Sequence, residues 1–183
     1  MLYLAAILAG IGIGFLRGGR LPHLTRLRLR WPWLIFLSLL IQLLIFPLFS
    51  GEAVLLYATA PLHVLSYAIL FVWLLMNLRV LPMRVLLLGA TCNLIAVASN
   101  GGYMPASVTA LERAGLGGLS EHLIGGNAVA NVILMTPSTR VNAMGDWLYL
   151  PEWIPFSMAF SIGDLLIVAG LVWLIARGMV MDD

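Results

Sequence analysis

The stretch 156-FSMAFSIGDLLIVAGLVWLIA-176 decides the fold. Asp164 is its only charged residue. A helix that crosses a bilayer needs about 20 mainly apolar residues, and this run supplies them. Working outward from it, four more runs read the same way, at 2–16, 31–49, 55–78 and 85–99. The expected fold class is therefore an all-α integral membrane protein: one transmembrane domain over residues 1–183, built as a bundle of five helices.

Composition agrees. The chain of 183 residues is 62% hydrophobic and only 10% charged, against about 25% charged in a typical soluble domain. Bilayer lipid has to cover the surplus apolar surface. A net charge of +2 gives no footing for nucleic acid. The single cysteine, Cys92, excludes an internal disulfide framework and a cysteine-based metal site; it reads as a small buried hydrophobe.

Arginine placement orients the bundle. Arg17, Arg20, Arg26, Arg28 and Arg30 fill the first connection, Arg79 and Arg84 the third, and Arg177 follows the last run. The long fourth connection, 100–155, holds only Arg113 and Arg140. The N-terminus is expected outside, the C-terminus inside, and the 100–155 segment on the extracytoplasmic side of a bacterial cytoplasmic (inner) membrane, with the chain crossing it several times. The first run does not read as a signal peptide, because its arginines follow the apolar residues rather than precede them.

Within the long connection, 107–114 reads as a short helix with Thr109 and Glu112 at capping-box spacing and Gly115 as its stop. The apolar 128–135 piece is too short to span, and suits a re-entrant segment or a helix lying on the bundle. Trp147, Tyr149 and Trp153 mark a return to the membrane interface.

Three groups of residues stand out. Ala6, Gly10, Gly14 and Gly18 recur every fourth residue and form a ridge for close helix packing, within the chain or between copies. Arg26, Arg28 and Arg30, just before Trp31, suit contact with anionic lipid headgroups. The third group is a set of polar residues inside apolar helices: Ser38 with Gln42, His63 with Ser66 and Tyr67, Asn93 with Asn100, and Ser157 with Ser161 and Asp164, each set at helical spacing. Most of these residues lie toward the outer half, which leaves the cytoplasmic half apolar and sealed. Asp164 is expected roughly 12 Å below the outer end of its span, where an ionisable residue marks a candidate site. Its candidate partners are Arg140, Arg113 and His63. A structural reading stands beside the functional one: these groups hydrogen-bond one another, and Asp164 caps the final helix. His63 and His122 show no haem or metal spacing, and Glu121-His122 reads as solvated.

The motifs Asn100-Gly101-Gly102-Tyr103-Met104-Pro105, Thr139-Arg140 with Gly145-Asp146, and Ser161-Ile162-Gly163-Asp164, together with Arg17-Gly18-Gly19, resemble a family of small bacterial membrane proteins catalogued as a domain of unknown function. That resemblance spans nearly the whole chain and implies a topology without a mechanism. It ties the outer pieces into one pattern, in which Asn100, Arg140, Asp146 and Asp164 are expected to converge.

Three functions fit. The sequence favours a non-catalytic subunit of a larger membrane complex, bioenergetic or otherwise, packed against other membrane subunits or copies of itself. The second is a small oligomeric transporter or channel using the polar site. The third is a binder or enzyme for a lipid or quinone at the outer leaflet. Quinone and pigment are the cofactors such a bundle would accommodate, though no motif calls for either, and no local constellation marks a catalytic residue or a metal site.

Overall fold

The computed structural model describes residues 2–45, 59–126 and 128–180. The chain is mostly helical. Five apolar helices form the bundle: α1 (Leu2–Leu16), α2 (Trp33–Ile45), α3 (Thr59–Met76), α4 (Leu81–Ser99) and α7 (Ile162–Val180). Between α4 and α7 the chain builds a cap from β1 (Met104–Ala106), α5 (Val108–Arg113), α6 (Gly117–Ile124), β2 (Val132–Leu134), β3 (Leu148–Leu150) and β4 (Met158–Phe160). By length and composition, α4 and α7 can each cross a membrane, whereas the apolar stretches of α1, α2 and α3 are shorter.

The helices pack as an arc, α1 on α7, α7 on α4, α4 on α3, and α3 on α2. Glycines set the two closest crossings. Ala6, Gly10 and Gly14 of α1 are buried. A Cβ on Gly10 would lie 2.9 Å from the Cβ of Ile175, and one on Gly14 would overlap Met179. The small-residue ridge therefore seats α1 on α7 within the chain. Gly18 is a correction to that ridge. It lies beyond the helix at φ +78, with nothing near its missing side chain. The Gly19 N–H donates to Gly14 O and the Gly18 N–H to Phe15 O, each at 2.9 Å. This is the Schellman arrangement, which needs a left-handed residue where Gly18 stands. Gly19 takes the packing role: its Cβ would lie 2.7 Å from the Met179 carbonyl oxygen.

At the second crossing Gly89 of α4 meets Gly163 of α7 backbone to backbone. The main apolar core lies below it and includes Leu34, Trp73, Leu74, Met83, Leu86, Ala90 and Leu174.

Several boundaries differ from the sequence reading. α2 starts at Trp33 because Trp31 takes φ 48 ahead of Pro32. The far end of the 31–49 run, the start of the 55–78 run and the short connection between them fall outside the described residues. α4 begins four residues early, with a proline in its first turn, where a missing N–H costs nothing. α7 begins late because Met158–Phe160 pairs antiparallel with Leu148–Leu150. The Ser157–Ser161–Asp164 stripe is consequently absent, since Ser157 precedes a strand.

The 128–135 piece is neither re-entrant nor helical. It contains β2, paired parallel with β1, Met104 opposite Val132. Its β-branched Val132 and Ile133 suit a strand. Thr109 and Glu112 form no capping box: α5 starts after Ser107, which makes no side-chain cap bond. Gly115 ends that helix at φ +73.

At the end of the bundle away from the cap, Leu27 and Leu29 pack against the core while Arg26, Arg28 and Arg30 face out. This half is not free of polar groups. Buried Asn77 accepts the Arg30 N–H at 2.7 Å and donates to the Arg30 carbonyl at 3.1 Å, which fixes the arginine segment to α3.

Candidate functional site: a capped polar cluster above an apolar groove

Asp164 is the centre of the polar cluster, and its position revises the depth expected from sequence. Ser161 stands immediately before α7 and Asp164 is the third residue of that helix. The Asp164 N–H donates to the Ser161 hydroxyl at 2.9 Å, and the Ser161 N–H donates to Asp164 Oδ2 at 3.0 Å. That reciprocal pair is a capping box, with aspartate in the acidic position. Asp164 therefore lies in the first turn of its helix, where a negative charge is also favoured by the helix dipole.

The other carboxylate oxygen joins the helices. Oδ1 accepts the Tyr3 hydroxyl of α1 at 2.6 Å and the Asn93 amide of α4 at 2.9 Å. The Ser161 hydroxyl lies 2.8 Å from Asn93 Oδ1 and 2.9 Å from Asp164 Oδ2, and its one proton serves either. Asn93 thus turns its oxygen to the cap residue and its nitrogen to the carboxylate. Gly163 is what lets it reach: a Cβ there would overlap Asn93 Oδ1. The Ser161-Ile162-Gly163-Asp164 motif is a helix cap with a gap cut for an asparagine.

A second network ties α2 to α3. Ser38 donates to the Ser66 carbonyl at 2.8 Å, Ser66 donates to the His63 carbonyl at 2.7 Å, and the Gln42 amide nitrogen lies 3.3 Å from the Ser66 hydroxyl. His63 meets the Gly102 carbonyl through Nδ1 at 3.0 Å, and its ring tilts against Tyr67 at 5.1 Å.

The third network secures the cap. Asn100 donates to the Arg140 carbonyl at 2.8 Å and accepts the Arg140 N–H at 2.8 Å. Arg140 belongs to the cluster by its backbone alone, and it does not clamp Asp164. Arg113 instead lies on Tyr149, 2.9 Å from its hydroxyl. Of the three partners expected for Asp164, none supplies the bonds described above; Asn93, Ser161 and Tyr3 do, and of these Tyr3 carries no polar signal in the sequence.

Asp146 reaches the same region. Its N–H donates to the Pro105 carbonyl at 2.8 Å and its carbonyl accepts the Ser107 N–H at 2.9 Å. Gly145 permits this, because a Cβ there would overlap Pro105 O. Asp146 Oδ1 is buried with no hydrogen-bond partner among the described residues. Burial, and then the nearby Asp164 charge, push its carboxyl from 3.8 up to about 7. The fold thus holds this proton more tightly than the unfolded chain does. Its stabilising contribution is full below pH 3.8, falls as pH rises, and is gone above about 7. Asp146→Asn should flatten the pH dependence of stability across that window. Thermal unfolding at a series of pH values checks this; equal slopes in both proteins would remove Asp146 as the cause.

Beneath the cluster lies a cavity of about 370 Å³. Its floor is Leu86 and Ala90 of α4 with Ile167, Leu171 and Leu174 of α7. Tyr3 and Ile7 of α1 form one wall, and α2 and α3 form the other through residues such as Ile35, Leu39, Tyr67 and Leu70. The arc explains it: α1 rests on α7 and makes no comparable contact with α2, so a lateral groove remains between them. Almost all of the lining is apolar. Tyr3, Ser38, Gln42 and Tyr67 bring polar atoms to the end under the cap.

A model of the family of unknown function DUF5317 matches residues 26–176. Comparison with curated proteins gave no match, and neither did comparison with solved structures. The matched region contains the Gly145-Asp146 and Ser161-Ile162-Gly163-Asp164 motifs and the Asn100-Gly101-Gly102 turn, where two left-handed glycines (φ 68 and 98) end α4 and the Gly102 N–H donates to the Val97 carbonyl at 2.9 Å. It leaves out α1, and with it Tyr3 and the glycine ridge. Since the match covers most of the chain, this protein belongs to the family of unknown function DUF5317.

Proposed function

We propose that this chain is a five-crossing protein of the bacterial cytoplasmic membrane that holds the hydrocarbon chain of one lipid-like molecule in the groove between α1 and α2. The groove carries this reading. It is mostly apolar, is open at the side toward what would be lipid, and gathers hydroxyl and carboxamide groups only at the end beneath the cap. Ligand sites are commonly apolar clefts of this size with a few polar groups at one end.

Arginine placement supports the orientation, with the cap outside. α1 rises only about 22 Å, and Arg17 and Arg20 can extend it by snorkelling. The outward faces support immersion: Leu8, Phe36, Leu44 and Leu165 are all more than half exposed. A reporter fused after Asp183 should be active only in the cytoplasm; activity outside would reverse the orientation.

The groove moves a lipid binder ahead of the complex subunit favoured by sequence, because it has a size and a lining that a ligand must match. Asp164 as a transporter's carrier group is less well supported. Its two oxygens already accept bonds from Tyr3, Asn93 and Ser161, which makes it a structural hub.

Leu39→Trp tests the reading. Leu39 lines the groove from a wall position that is 49% exposed, so an indole can enter without displacing the core. The variant should fold normally and lose at least half of the lipid that co-purifies at a fixed ratio with the parent protein. An unchanged lipid ratio would refute the groove as the binding site.

A further inference from the structure

Three hydroxyls at or beside the groove's capped end have already spent their donors. Tyr3 gives its proton to Asp164. Ser38 gives its proton to the Ser66 carbonyl. Ser66 donates to the His63 carbonyl, so its oxygen can only accept from Gln42. That constraint turns the Gln42 amide nitrogen toward Ser66 and its carbonyl oxygen the other way. What remains for a ligand at this end is the phenolic oxygen of Tyr3 and the carbonyl of Gln42 as acceptors, with one further amide N–H on Gln42 and the hydroxyl of Tyr67.

The charge here has one sign. Asp164 lies directly behind Tyr3, and Asp146 is close enough to feel its charge. The two arginines of the cap bond elsewhere: Arg113 rests on Tyr149, and the exposed Arg140 joins Asn100 through its backbone. An anionic head placed beside Tyr3 would meet a carboxylate with no cation in the observed contacts to offset it.

We propose that the groove selects a ligand whose head carries no negative charge, a hydroxyl or a protonated amine on a hydrocarbon chain, with Tyr3 and Gln42 as the residues that read it. This rests on the groove reading above and names its ligand class. Carboxylates and phosphates are disfavoured, because each brings negative charge against Asp164. The groove runs roughly seven residues along α2 and α3, or about 10 Å, which suits a medium-length chain.

The test compares decanol, decylamine and decanoate, three chains of one length, on the full protein in nanodiscs of neutral lipid. The pH is held at about 9, where an alkyl carboxylate is ionised and an alkylamine largely protonated. Binding is read by thermal shift and by isotope-edited NMR of the labelled probe. Decanol and decylamine should bind at least tenfold more tightly than decanoate. Tyr3→Phe and Gln42→Leu should each narrow that ratio while chain binding persists. Decanoate binding as well as the other two would overturn the headgroup inference and leave the groove intact. Binding of none of them would overturn the groove reading itself, and this inference with it. A ratio unchanged in both variants would remove Tyr3 and Gln42 as the readers.

Discussion

Gly163→Ala should cost the protein more than about 3 kcal/mol, at or beyond the upper end of ordinary overpacking. The added Cβ would overlap Asn93 Oδ1 and lie 2.8 Å from the Gly89 carbonyl. Neither neighbour can yield easily. One is locked between Ser161 and Asp164, and the other is helix backbone. The substitution should drive α4 from α7 and break the Asn93–Asp164 bond together. Gly12→Ala is the matched control: it lies inside α1 with nothing within 4 Å of the new atom. There alanine should stabilise by about 0.5–1 kcal/mol, because glycine in a helix interior is a poor former. Unfolding midpoints in mild detergent measure both. Two equal, small effects would show that the α4–α7 crossing is looser than described.

The second large effect falls on Asp164. Asp164→Ala removes the acceptor for the Tyr3 hydroxyl, the Asn93 amide and the Ser161 N–H at once. Each donor left unpaired in a dry setting costs about 1–3 kcal/mol, and the lost cap adds about 1 kcal/mol. A loss of about 3–5 kcal/mol is expected after partial relaxation. Asp164→Asn should lose less, since one oxygen can still accept, but its NH2 then faces donors. Removing the charge should also lower the carboxyl of Asp146, whose second cause of elevation is Asp164. The pH window of the Asp146 effect should therefore narrow in Asp164→Asn. Stability curves against pH for the single and double variants check this coupling. Strictly additive curves would show that the two carboxylates do not interact.

Much of the bundle could be read from residue types alone. Apolar runs located the helices, because a helix satisfies its backbone groups within one such run. The four-residue spacing of Ala6, Gly10 and Gly14 signalled a close crossing, and α7 supplies it. The start of α7 was not legible from hydropathy, because Met158–Phe160 is as apolar as the helix that follows. The sharper signal was local: a serine three residues before an acid is the pattern of a capped helix start. That pattern belongs to the structural reading of Asp164, at the start of the final helix rather than deep in a span.

The site was legible in its polar members and not in its wiring. Asn93, His63, Ser66 and Gln42 stood out against apolar neighbours, and all are bonded across helices or to the cap. Tyr3 did not stand out, because an aromatic near a helix end reads as an interface anchor, and its partner is 161 positions away. Arg140 misled for the opposite reason. Its charge drew attention, while its peptide group does the bonding, and backbone roles leave no mark on residue type. Asn77 shows the same limit at the other end, where one buried amide fixes the arginine segment.

The groove is the central claim, and photocrosslinking in native membranes reaches it most directly. A photoreactive residue is placed at Ile7 or Leu39, which line the groove, and separately at Leu8, which is 61% exposed and is not part of its lining. The two groove positions should yield the same discrete lipid adduct, and Leu8 a spread of bulk membrane lipids. The same mixed adducts at all three positions would contradict a selective groove.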